Sequence, residues 1–156
     1  MEHKLNQTIE RTALSNLVSN EDYCRKVLPF IKPDYFSVKE ERIVFEEITN
    51  FVDKYRKMPT KISLEIEVET RKDLTETEHQ KIVEIIKTLD STDVDMEWLV
   101  DTTEKFCKDK AIYNAIVDGI GIFDGKETNR GADAIPSLLT DALAVSFDNA
   151  VGHDYF

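Results

Sequence analysis

Several things are scarce in this chain of 156 residues, and each scarcity excludes something. Only two cysteines occur, Cys24 and Cys107, with no CxxC spacing. They read as reduced thiols, in the core or on the surface, which suits a cytosolic setting. Histidine is limited to His3, His79 and His153 at unrelated spacings, with neither HExxH nor a Cys/His cluster, so these read as surface histidines rather than metal ligands. No eighteen consecutive apolar residues occur, and the opening MEHKLNQTIE has no apolar run. Neither a membrane span nor a signal peptide is therefore expected, and the chain reads as soluble and intracellular. Cations are also in deficit: 20 Lys and Arg stand against 31 Asp and Glu, a formal net charge of −11. That balance argues against gripping a phosphate backbone, which wants clustered Lys and Arg, so any contact with nucleic acid should be made elsewhere. Internal repeats and low-complexity tracts are absent.

What is present is helical periodicity. Residues 95–123 form one uninterrupted pattern: with Leu99 as the first position of a heptad, the next firsts are Phe106, Tyr113 and Ile120, and the fourths are Thr102, Asp109, Ile116 and Phe123. At about 1.5 Å per residue such a helix is roughly 40 Å long, more than a small lobe can cover, so part of it is expected to project. After a loop at 124–133, holding Gly125 and Gly131, the stretch 134–147 (AIPSLLTDALAVSF) carries Ile135, Leu138, Ala142 and Val145 on one face, with Leu139 and Leu143 beside them and Phe147 beyond. One partner helix covers one stripe. The reading is a helical hairpin with apolar surface to spare, hence an assembly device. Its contact residues are expected to be Ile116, Ile120 and Phe123 on the first arm and Leu138, Leu139, Ala142, Leu143 and Phe147 on the second.

The preceding residues predict a helical lobe. Ile9, Ala13, Leu14, Leu17 and Val18 share a face over 6–18, and Ser19 or Asn20 can cap a second helix that buries Tyr23 and Val27. KPDYF at 32–36 makes a tight connection, because Pro33 biases Lys32 away from helix. Ser37 with Glu40 has capping-box spacing and opens the clearest helix, whose apolar face runs from Ile43 to Tyr55, with Lys39, Glu46, Glu47 and Lys54 opposite. Thr60 can cap the next segment. There Ile62, Leu64, Ile66 and Val68 alternate like a strand, yet no second alternating run exists to pair with, so a helix wedged between neighbours is expected. Thr75 with Glu78 repeats the capping-box spacing before Ile82, Val83, Ile85, Ile86 and Leu89. Asp95 caps the long helix after the acidic link 90–95.

Catalytic motifs fail on spacing. Around Gly125 and Lys126 a phosphate loop would need glycine at 120 and Ser or Thr at 127, where Ile120 and Glu127 stand. Gly119, Gly121 and Gly125 miss the dinucleotide fingerprint and follow a helix rather than a strand. Asp90, Asp93 and Asp95 resemble a calcium loop, but its obligatory glycine position holds Asp95 itself. There is no GxSxG, and neither cysteine has a neighbouring histidine in sequence. Gly119 and Gly121 each weaken the long helix by about 1 kcal/mol relative to alanine. They read either as a kink or close helix approach, or as fraying near the turn.

The stretches ERTALSNLVSNEDYCRKVLPFIKPDYF (10–36) and EERIVFEEITNFVDKYRKMPT (40–60) resemble the N-terminal domain of DnaB-type replicative helicases. The resemblance lies in Glu10, Leu14 and Leu17 on the first helix, Pro33 with Phe36, and Arg42, Val44 and Phe45, in that order. TETEHQKI (75–82), EWLVDTTEKF (97–106) and ALAVSFDNAVGHDYF (142–156) look closer to the T-even-type phage branch. Gly119 and Gly121 depart from the family pattern. The resemblance implies an all-α fold: a lobe over 1–94, a long projecting hairpin over 95–148, and the start of a linker at 149–156. It also implies self-assembly into dimers and a ring built as a trimer of dimers, and a primase as partner. ATP and Mg would belong to a RecA-like domain after Phe156, through which alone DNA is engaged, in the cytoplasm of an infected bacterium. No cofactor is expected within these residues. Two other classes compete: a self-sufficient acidic helical adaptor binding a basic protein, and a small hydrolase with a spatially assembled carboxylate pair.

Overall fold

The computed structural model describes residues 2–125 and 131–147, with side chains from residue 8 onward. Its helices are α1 Glu2–Leu17, α2 Glu21–Val27, α3 Lys39–Tyr55, α4 Lys61–Thr70, α5 Glu76–Lys87, α6 Met96–Phe123 and α7 Ile135–Leu143. Short 3₁₀ turns occupy Leu28–Phe30, Pro33–Tyr35 and Ala132–Ala134. Strands are absent among the described residues, as the all-α expectation requires. The linker expected at 149–156 and the centre of the 124–133 loop lie outside the described residues.

Most helices start where a side chain can satisfy an orphan backbone donor. Asn20 accepts from Tyr23 N–H at 3.1 Å, and Asp95 accepts from Trp98 N–H at 2.9 Å. Thr60 with Ser63, and Thr75 with Glu78, each close a reciprocal capping box. The box expected at Ser37 and Glu40 does not form. Helix α3 begins after Val38 without a side-chain cap, because Ser37 is turned toward Glu10 instead. At the other end of α3, Arg56 takes a left-handed φ of 59°, and its N–H reaches Val52 O at 2.8 Å.

The core is centred on α3. Val44, Phe45, Ile48 and Val52 belong to one buried cluster with Leu14 and Leu17 of α1, Tyr23 and Val27 of α2, Ile82 and Ile86 of α5, and Leu99, Phe106 and Cys107 of α6. The first three turns of α6 are thus part of the lobe's interior. Cys24 and Cys107 are buried free thiols whose pKa burial pushes up to about 12, so both stay protonated. Glu47, expected on the outer side of α3, is buried and meets Arg71 at 3.2 Å. Burial outweighs that arginine and raises the Glu47 carboxyl. On the surface, Lys39 of α3 meets Glu78 of α5 at 2.6 Å and holds that carboxyl down at about 2.

Helix α4 resolves the alternating segment. One turn apart on a helix, Leu64 and Val68 face α3 and α5 and are fully buried, whereas Ile62 and Ile66 are 69% and 55% exposed. The helix was expected to be wedged on two faces; only one is covered. Leu64→Ala should therefore cost about 2–5 kcal/mol in denaturant unfolding, and Ile66→Ala should stay within about 0.5 kcal/mol of the parent.

Candidate functional site

Each residue of an α-helix turns about 100°, so α6 can carry two different faces. Ala115, Gly119 and Ile122 share one face and are buried. Tyr113, Ile116, Val117, Ile120 and Phe123 share the other side, and all are exposed, Phe123 at 80%. All but Val117 are positions of the heptad that Leu99 and Phe106 begin. The same stripe is buried against the lobe over its first turns and meets water over its last three.

What aims the stripe is a polar node at the lobe's edge. Glu10 is fully buried, and its Oε1 accepts from Ser37 N–H at 3.2 Å and from Ser37 O–H at 2.9 Å. Lys110 Nζ of α6 lies 3.7 Å from the same oxygen and donates to Ser37 Oγ at 3.0 Å. One turn on, Asn114 Nδ2 donates to Asp34 O at 3.2 Å. Arg42 Nη2 donates to Phe36 O at 3.1 Å, while the Phe36 ring packs on Phe45 and Phe106 at 5.1 and 6.4 Å between centroids. Deeper in, the Tyr23 hydroxyl and Thr103 Oγ1 are 2.7 Å apart. Helix α6 is therefore clamped from Thr103 to Asn114, and past that point it packs on α7.

Helix α7 runs back along α6. Ile135 sits at Gly119, where an added Cβ would meet Ile135 Cγ2 at 3.6 Å, while a Cβ at Gly121 would meet nothing within 4 Å. Gly119 thus marks a close helix approach. Further along, Val145 and Phe147 reach the lobe: the Phe147 ring stacks on Phe30 at 4.6 Å, and its N–H donates to Glu104 Oε2 at 2.7 Å.

The expected contact residues thus fall into three settings. Ile116, Ile120, Phe123 and Leu143 face solvent, Leu143 at 68%. Leu138 and Leu139 are half-buried and Ala142 is buried, so this part of α7 faces inward within the hairpin. Phe147 lies against the lobe. Tyr113 and Val117 complete the exposed stripe; Tyr113 was legible as a heptad position, and Val117 as its neighbour between Ile116 and Ile120. Glu10 also carried a signal, a carboxylate set among Ile9, Ala13 and Leu14 on an apolar face.

A groove of about 1150 Å³ runs beside the node, lined by Trp98, Lys105, Asp109 and Tyr113 of α6 and by Arg42 across it. The carboxyls that burial raises, Glu41 and Glu47, face Arg11 and Arg71 and do not line it. Asp34 and Asp101 line the groove beside Asp109. Among the described residues no helix is long and apolar enough to cross a membrane.

Residues 2–97 match the family model described as the DnaB-like helicase N terminal domain. Over 150 residues the chain is 32% identical to a DnaB-like replicative helicase of Enterobacteria phage T4, a match covering 91% of this chain and 31% of that protein. The chain thus spans about a third of the length of the relative it matches.

Glu10→Ala should destabilise the fold by about 1–3 kcal/mol in urea unfolding, because it leaves both donors of Ser37 without their acceptor and removes the carboxylate facing Lys110. Gly119→Ala should do the reverse: its methyl finds ordinary contact with Ile135, and a gain of up to about 1 kcal/mol is expected from helix propensity.

Proposed function

This chain belongs to the DnaB-like helicase N-terminal domain family, and from that premise we propose that it is the assembly and partner-docking portion of a phage replicative DNA helicase. The observation that carries the reading is the uncovered stripe of Tyr113, Ile116, Val117, Ile120 and Phe123 on α6, with Leu143 of α7 also exposed. Contiguous apolar surface on the order of several hundred Å² is an association site or an aggregation liability. A two-fold pair of hairpins hides it in copies of itself, since an isologous contact sets the same stripe on both sides. Three such pairs would close the ring as a trimer of dimers.

The parent's chemistry is assigned elsewhere. ATP and Mg²⁺ belong to a separate ATPase domain that unwinds duplex DNA at the fork, and the match to only 31% of the phage relative supports that division. An acidic ring entrance suits this arrangement, because a net charge of −11 repels the strand it passes rather than trapping it. A primase is the proposed protein partner, in the cytoplasm of an infected bacterium. Membership in a helicase-domain family also weighs against the free-standing adaptor.

Solution mass across a concentration series tests the assembly reading. The parent chain should pass from monomer to dimer or beyond, and Ile116→Glu with Ile120→Glu should remain monomeric with unchanged helical circular dichroism. A parent that stays monomeric, or a charged variant that associates equally well, would refute it. The docking half predicts that a replicative primase from the same source binds the chain in a titration; no binding would remove that half alone.

A further inference from the structure

Helix α4 presents a second uncovered face. Ile62, Glu65, Ile66 and Glu69 stand at i, i+3, i+4 and i+7, so two isoleucines one turn apart are interleaved with two carboxylates. The inward turns need no help from this side, since Leu64 and Val68 already fill the space against α3 and α5. Glu65, Glu67 and Glu69 enter none of the ion pairs among the described residues. Two of the cations at the ends of α4 are committed: Lys61 to Asp90 at 2.6 Å and to Lys87 O at 3.2 Å, Arg71 to Glu47 and to Asp73. Glu46 and Glu67 also act on the carboxyl of Glu47, but more weakly than Arg71, so the uncompensated charge of this face lies with Glu65 and Glu69.

We propose that this face docks a basic amphipathic helix of another protein, whose apolar side chains seat on Ile62 and Ile66 and whose Lys or Arg residues lie against Glu65 and Glu69. A second copy of this chain fits poorly, because a two-fold contact here would set carboxylates against carboxylates. The inference does not depend on the helicase reading or on the α6 stripe; its failure would leave both standing.

The probe is a synthetic helical peptide with leucines at i, i+4 spacing flanked by lysines, titrated into the chain and followed by backbone amide shifts. Its counterpart carries glutamates for the lysines. The lysine peptide should move amides of α4, and Ile62→Gln with Ile66→Gln should weaken binding by about tenfold or more. Glu65→Lys with Glu69→Lys should switch preference to the glutamate peptide. All four positions lie outside the core, so unfolding midpoints should be unchanged; if the glutamine variant unfolds, the charge-reversed variant decides. Shifts confined to other helices, variants that bind like the parent, or α4 shifts on diluting the chain alone would each overturn the proposal.

Discussion

A carboxylate with no access to water must be answered from within the protein, and the rest of this structure is arranged around the answer given to Glu10. Its donors come from two places far apart in sequence, Ser37 in the turn before α3 and Lys110 in the middle of α6. Because Ser37 is used there, α3 does without its side-chain cap. Because Lys110 is used there, the long helix is fixed in rotation as well as position. A helix held only by apolar contacts could roll by several degrees at little cost. One held at Thr103, Lys110 and Asn114 cannot, and its stripe points in a defined direction.

That clamping gives a structural part to the residues on which the family resemblance was read. Glu10, Phe36, Arg42 and Phe45 gather around one turn, where the Phe36 ring packs on Phe45, the Phe36 carbonyl accepts from Arg42, and Oε1 of Glu10 accepts from Ser37. Their product is rigidity at the base of a hairpin. On the proposed assembly reading, a stripe held in one orientation would spend less of its contact energy on being ordered when a copy arrives.

Helix α6 serves both halves of the molecule, and its composition reflects the conflict. Its first turns are sealed into the lobe through Leu99, Phe106 and Cys107. Its last turns must be apolar on two sides, toward α7 through Ala115, Gly119 and Ile122 and away from it through Ile116, Ile120 and Phe123. Small residues on the α7 side let the second arm approach closely, while large ones face outward. The strap from Val145 to Phe147 then ties the far end of the hairpin back to the lobe.

Local chemistry was legible in the sequence wherever it acts within a few residues. The caps at Asn20, Thr60, Thr75 and Asp95 and the turn at Pro33 depend on neighbours in the chain, and they appear as read; the helix at 61–70 also appears, but it was read against its local alternation, from the lack of any strand to pair with. The heptad on α6 was equally visible, because periodicity is a property of order alone. What order could not supply was which side of each helix meets another. Ile62 and Leu64 look alike in a string, as do Ala142 and Leu143, yet one of each pair is sheltered and the other is not. The same holds for Ser37, whose spacing promised a cap until a carboxylate 27 residues away claimed it. Periodicity and caps are local energies; burial, and the direction in which the uncovered stripe faces, arise only when distant segments compete for the same donors and the same space.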